Sequence, residues 1–256
     1  MEIKGFEAEK VRDRLVELIR EHMGKCGMNN VVIGISGGKD SAVVAALCAR
    51  ALGKEHVYGI MLPDGEQKDI SDSELVCKAL GITPHVINIG NAHKALLEAA
   101  REGCGADLDQ AGEAPVKASN INVGPRLRMT TLRFMGQALN ALLCGTGNLS
   151  EATVGYCTKD GDAAYDFNPI GKLTSLEVVQ VGLTMTELPK EVVIKTPSDG
   201  LSGMSDEEKL GVTYAQIHEY IRNGSCGDQK VDEIIAAKER GSAHKRCMPP
   251  VLDPFS

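Results

Sequence analysis

The sequence predicts one α/β domain over residues 1–256, built on a doubly wound, mostly parallel sheet with helices on both faces. Three observations carry that expectation. Four short apolar runs, at 31–36, 56–62, 85–90 and 141–147, alternate with helical stretches, the order of right-handed strand–helix–strand crossovers. The first run, VVIGIS, is apolar nearly throughout, as befits a strand covered on both faces. Two runs lead into glycine-rich strings, GISGGKDSA at 34–42 and GTGN at 145–148, and open α/β sheets bind ligands beyond the carboxyl ends of their strands. The ends near Ser36 and Gly145 should therefore face one crevice.

Taken in order, MEIKGFEAEKVRDRLVELIREHM sets Val11, Leu15, Leu18 and Ile19 at helical spacing among charges, an amphipathic helix rather than a signal peptide. DSAVVAALCARALG is a helix apolar nearly all round, with Gly53 as its C-cap. HVYGIML is the second strand, PDGEQKDISDSE a polar loop, SELVCKALG a helix and HVINIG the third strand. NAHKALLEAAREG is helical, residues 104–125 read as a Gly, Pro and Asn-rich connection, and RLRMTTLRFMGQALNA is helical before the fourth strand. Residues 148–171 carry many turn formers and few helix or strand signals, and a loop of that length is usually functional. TSLEVVQVGLTMTEL is a helix, TPSDGLSGM a loop, and Ser205 with Glu208 forms a capping box. Helices at about 212–222 and 228–240 precede the tail HKRCMPPVLDPF.

Composition narrows the function. A net charge of −7 disfavours a broad nucleic-acid surface, which needs clustered Lys and Arg. No apolar run is long enough to span a bilayer, so neither nucleic acid nor membrane is an expected partner. The eight cysteines are never closer than thirteen positions, so there is no C-x-x-C pair for a metal or redox site. They read as reduced thiols, and the protein as cytoplasmic.

The string at 34–42 is not a Walker A loop. That motif would place glycine at Ile33 and a hydroxyl after Lys39, where Asp40 stands. What remains is a Ser-Gly-Gly turn at a helix N-terminus, whose N–H groups and dipole favour an anion. Ser36, Ser41 and Lys39 add donors. Asp40 would repel a bare phosphate, so it makes chemical sense as a ligand of a Mg²⁺ that bridges to a pyrophosphate.

SGGKDS resembles the pyrophosphatase-type loop of ATP-dependent adenylating synthetases. NINVGPRLRM (120–129), GTGNLSEATVGYCTKDGDAAYDFNPIG (145–171), TPSDGL (196–201), SDEEKLGVTY (205–214) and HKR (244–246) narrow the resemblance to the ammonia-dependent NAD synthetase family, along nearly the whole chain. It implies an adenine nucleotide alpha hydrolase-like fold, a homodimer, no glutaminase domain, and ATP, deamido-NAD and ammonia as substrates. It implies ATP binding by Gly34, Ile35, Ser36, Gly37, Gly38, Lys39, Asp40, Ser41, Thr146, Ser175 and Ser198, with Mg²⁺ on Asp40 and Glu151. Deamido-NAD falls to Arg126, Lys159, Asp166, His244 and Lys245, and catalysis to Lys39 and to Asp162 as the group that takes a proton from ammonium. Each has a plain structural alternative: Glu151, Lys159 and Asp166 as solvated loop charges, Thr146 and Ser198 as local caps, Asp162 as a turn former, His244 and Lys245 as a frayed basic tail. One position departs. The family commonly has an ATP-contacting lysine where Ser175 stands; Lys172, three residues earlier, is the candidate substitute.

The implied reaction is attack of the nicotinate carboxylate on the α-phosphorus of ATP, then displacement of AMP by ammonia. Two rivals stay open, a tRNA-thiolating ligase with the same loop and a non-catalytic nucleotide sensor. Residues 64–72 and 199–205 are the loops expected to order on ligand binding.

Overall fold

In the computed structural model, which describes residues 3–66, 70–195 and 205–252, β1 (Asn30–Gly34) organises everything else. Its side chains alternate between two cores: Val31 and Ile33 face one, Val32 the other, and all three are fully buried. β1 pairs in parallel with β2 (Val57–Met61) and with β4 (Ala141–Leu143), and β2 with β3 (Pro84–Val86), giving the order β3-β2-β1-β4. The chain leaves β1 toward β2 and returns on the other side as β4. The switch point predicted from the two glycine-rich ends therefore lies between β1 and β4.

Helices cover both faces. α1 (Ala8–Cys26), α2 (Lys39–Leu52), α3 (Ile70–Leu80) and α7 (Ser175–Leu183) share a core with Val31 and Ile33. α4 (Gly90–Ala111) and α5 (Glu113–Ala138) lie on the face of Val32, where Leu132 and Ile89 pack. α6 (Leu149–Val154), α8 (Lys190–Val193), α9 (Asp206–Leu210), α10 (Tyr214–Asn223) and α11 (Gln229–Gly241) complete the chain, and α6, α9, α10 and α11 build a third cluster around Ile217 and Ile235. Among the described residues no helix is long and apolar enough to cross a membrane, and all eight cysteines are free.

Several elements differ from expectation. Residues 104–125 are almost wholly helical: α4 runs to Ala111 and α5 begins at Glu113, divided by Gly112 at φ +87°. Pro115 falls in the first turn of α5, where a missing N–H breaks no intrahelical bond. Pro125 lies inside α5, with the loop around Gly161 against its ring. Residues 148–171 contain α6, started by an Asn148–Glu151 capping box. β3 is short and, at the edge of the sheet, exposed; beyond it Asn88 binds the Gly65 backbone and the Gly90 N–H. On α1 Leu18 faces solvent, while Val16 and Met23 join Ile19 in the core. α7 stops at Leu183, five residues short of the predicted end at 188.

Candidate active site

The loop after β1 braces itself with its own hydroxyls. Ser36 and Ser41 lie 3.1 Å apart, the Gly38 N–H donates to Ser36 Oγ, and Ser41 donates to the Gly38 carbonyl. Ser41 is 2% exposed, and its hydroxyl bonds within the turn. Gly37 takes φ +77° and packs against the first turn of α3, where a side chain has no room. No side chain caps α2 at Gly38, which leaves its first N–H groups for an anion.

Asn148 joins this loop to the one after β4. It is fully buried; its amide donates to Asp40 Oδ1 at 3.2 Å, its Oδ1 accepts from the Glu151 N–H, and Glu151 Oε2 accepts from the Asn148 N–H at 2.9 Å. Burial first, and then the nearby Asp40 charge, push the Glu151 carboxyl up to about 8. Two carboxylates held this way call for a proton or a cation between them. Among the described residues no cluster of three or more His, Cys, Asp or Glu could hold a metal. A carboxylate pair suits Mg²⁺, which keeps waters and takes phosphate oxygens as further ligands.

Lys39 is buried beside Asp40 and Tyr214. It is 4% exposed, donates to Asp40 Oδ2 at 2.7 Å and lies 5.6 Å from the centre of the Tyr214 ring. Burial alone would lower its pKa, but Asp40, Glu151 and Asp206 outweigh that and hold it above its ordinary value. Tyr214 and Tyr156 both donate to the buried Asp206, so α9 and α10 close the back of the charge cluster.

A second group lies on α5 and the loop after α6. Arg126 Nε donates to the Lys159 carbonyl at 3.3 Å, and the Thr158 N–H to Asp162 Oδ1 at 2.8 Å. Asp162 still reaches solvent, yet the protein packed around it raises its carboxyl above the ordinary value. Arg128, beside Asp64 and Asp162, donates to the Leu62 carbonyl.

Several other expected residues bond to the protein itself. Asp166 accepts from the Leu143 N–H at 2.7 Å and pairs with Arg133. Lys245 donates to the carbonyls of Gly155 and Cys157, and Arg246 to that of Ala152, so HKR fastens the C-terminal end of α6. His244 is exposed in the adjoining 3-10 turn. Ser175 is 2% exposed, the first residue of α7, and its N–H donates to Ser150 Oγ; Lys172 is exposed just before it. Gly34 and Ile35 end β1 against Leu132 and the core, and Thr146 stands half-buried between β4 and α6. Ser198 and the stretch 199–204 lie outside the described residues, as do 67–69 of the loop at 64–72. Sequence reasoning missed Asn148, although N-x-x-E is a capping-box spacing.

The model of the NAD synthase family matches residues 11–249. The chain belongs to the NAD synthase family. Among relatives of this NAD synthase chain, the NH3-dependent NAD⁺ synthetase of Archaeoglobus fulgidus is 38% identical over 251 residues, 95% of this chain and 96% of the relative. That of Pyrococcus horikoshii is 41% identical, over 91% and 84% of the two chains. Among solved structures, the NMN synthetase of Francisella tularensis superposes with a TM-score of 0.85 at 30% identity, over 98% of this chain and 100% of the other. The NH3-dependent NAD synthetase of Campylobacter jejuni, in complex with nitrate, gives 0.75 at 27%, over 97% and 100%. In this NAD synthase chain the family's loop resemblance thus coincides with the Asp40–Asn148–Glu151 bridge at the switch point.

Proposed function

We propose that the chain is a ligase that amidates deamido-NAD with ammonia at the expense of ATP, giving NAD, AMP and pyrophosphate through an adenylated dinucleotide. The observation that carries this is the Asn148 bridge, which sets two carboxylates beside an uncapped helix N-terminus at the mouth of β1 and β4. The Gly37 and Gly38 turn and the start of α2 bind the phosphates that become pyrophosphate. Asp40 and Glu151 would hold Mg²⁺, which neutralises phosphate charge when bound. Lys39 holds Asp40 in place. Arg126 and Lys159 supply the cationic edge for the dinucleotide. Asp162, with its raised carboxyl, takes a proton from ammonium, because only neutral ammonia carries the attacking lone pair. No covalent enzyme nucleophile is required.

The protein acts in this reading as a single cytoplasmic domain and as a homodimer. What supports the dimer is the α4–α5 hairpin: α4 buries none of its residues, and Leu96, Ile121 and Phe134 are exposed in the single chain.

Incubation with ATP, Mg²⁺, deamido-NAD and ammonium should release AMP, pyrophosphate and NAD together. Formation of ADP, or of AMP only when tRNA is added, would overturn the reading. A second acceptor has specific support, since the Francisella NMN synthetase superposes better than the Campylobacter NAD synthetase. Nicotinate mononucleotide should therefore be assayed beside deamido-NAD, and the higher kcat/KM names the substrate.

A further inference from the structure

The phosphate turn lacks its own lysine, since Lys39 is buried and committed to Asp40. The fold sets another lysine against that turn from the far side. Gly37 packs so closely on the first turn of α3 that a Cβ there would stand 2.9 Å from Asp72 Cβ and 3.0 Å from the Ser73 N. Asp72 Oδ2 in turn accepts from Lys195 Nζ at 2.5 Å, across 123 residues of sequence. Lys195 is thereby held within a side chain's length of the Gly37 turn, beyond the end of α8. Both partners are about one-third exposed, so the ammonium meets solvent, unlike that of Lys39.

Asp72 poses a problem that the pair solves. A carboxylate beside a phosphate turn repels the polyphosphate unless it is neutralised, and Lys195 neutralises it. Once ATP is bound, its phosphates carry more charge than Asp72 and compete for the same ammonium. The geometry points to Lys195 as a phosphate-binding residue that Asp72 holds beside the Gly37 turn until ATP takes it over. This rests on the ATP reading of the site and adds a residue that the signature loop does not contain.

An ordinary structural ion pair loses the same thing whichever partner is removed, whereas here the two partners should act in opposite directions. Binding of Mg²⁺ with α,β-methylene-ATP, which cannot be cleaved between those phosphates, is measured by calorimetry on the full chain without dinucleotide. Lys195→Met should weaken binding about tenfold, the size of one charge-assisted hydrogen bond. Asp72→Asn should leave binding unchanged or tighten it. Lys195→Arg, which keeps the charge, should stay near wild type and guards against misfolding as the cause of the loss. Equal weakening by Lys195→Met and Asp72→Asn, or unchanged binding in Lys195→Met, overturns the assignment while the functional reading survives. Failure of the wild type to bind the analogue overturns both.

Discussion

At the residue scale the informative position is Asn148 rather than the lysine of the signature. A buried asparagine that caps α6, accepts from Glu151 and donates to Asp40 performs two tasks with one amide. The two tasks separate experimentally. Asn148→Ala loses an N-cap, about 1 kcal/mol, which for a chain of this size moves Tm by roughly 2–4 °C. It also removes the strut between the carboxylates, so kcat should fall far more than such a Tm shift explains, and the Mg²⁺ concentration for half-maximal rate should rise. Measuring Tm, kcat and the Mg²⁺ dependence on one preparation checks it; a Tm shift with kcat intact would reduce Asn148 to a cap. Asp40 was legible because it sits where a phosphate loop ought not to carry an acid. For Lys39 residue type gives the charge, but only packing shows that the side chain turns inward to Asp40 and Tyr214. Ser175 likewise gains its meaning from burial at the seam of α6 and α7.

At the element scale, caps decide where the helices begin, and four of them (α6, α7, α9 and α10) start with reciprocal capping boxes. In α7 the box is extended. Glu177 accepts from the Thr174 N–H and from two nitrogens of Arg222 on α10, and Thr174 Oγ1 shares a hydrogen bond with the buried His218. Burial would raise the Glu177 carboxyl, but Arg222 and the Thr174 N–H outweigh it and hold it below its ordinary value of 4.5. A depressed folded pKa means that the contribution to stability is present above the unfolded value and lost as pH falls through the folded one. Glu177→Gln should therefore lower Tm near neutrality, and the gap to wild type should narrow as pH drops below about 4.5. Thermal melts of both proteins from pH 7 to pH 3 test this; a constant gap would mean the ionised carboxylate contributes nothing. The α4–α5 hairpin shows the opposite failing of local reading. Glycine, proline and asparagine mark turns on average, yet Pro115 in a first turn and Asn122 donating to the Ala118 carbonyl are compatible with helix.

At the scale of the molecule, the strand order puts both glycine-rich loops at one switch point, while α4 and α5 leave apolar side chains on the outside. Phe134, 69% exposed, is the largest of these on α5, the helix that carries Arg126. If the hairpin is the dimer face, Phe134→Asp should give a monomer by light scattering, with Tm lowered by the lost association. The KM for the dinucleotide should rise more than that for ATP. A dimer that survives Phe134→Asp would place the interface elsewhere.

By itself the sequence determined the fold class, the Ser205–Glu208 capping box, the glycine turn after β1 and, by resemblance, the family. Those signals lie within a few residues of one another: hydrophobic period, glycine at a turn, an acid three positions after a cap. The tertiary structure decided which charges meet. Asn148 reaches Asp40 across 108 positions and Lys195 reaches Asp72 across 123, and no local pattern encodes either contact. The first exists only once parallel strands bring distant loops to the same edge of the sheet, and the second only once the chain beyond α8 meets the first turn of α3, because packing, not spacing along the chain, sets the distance between the charges.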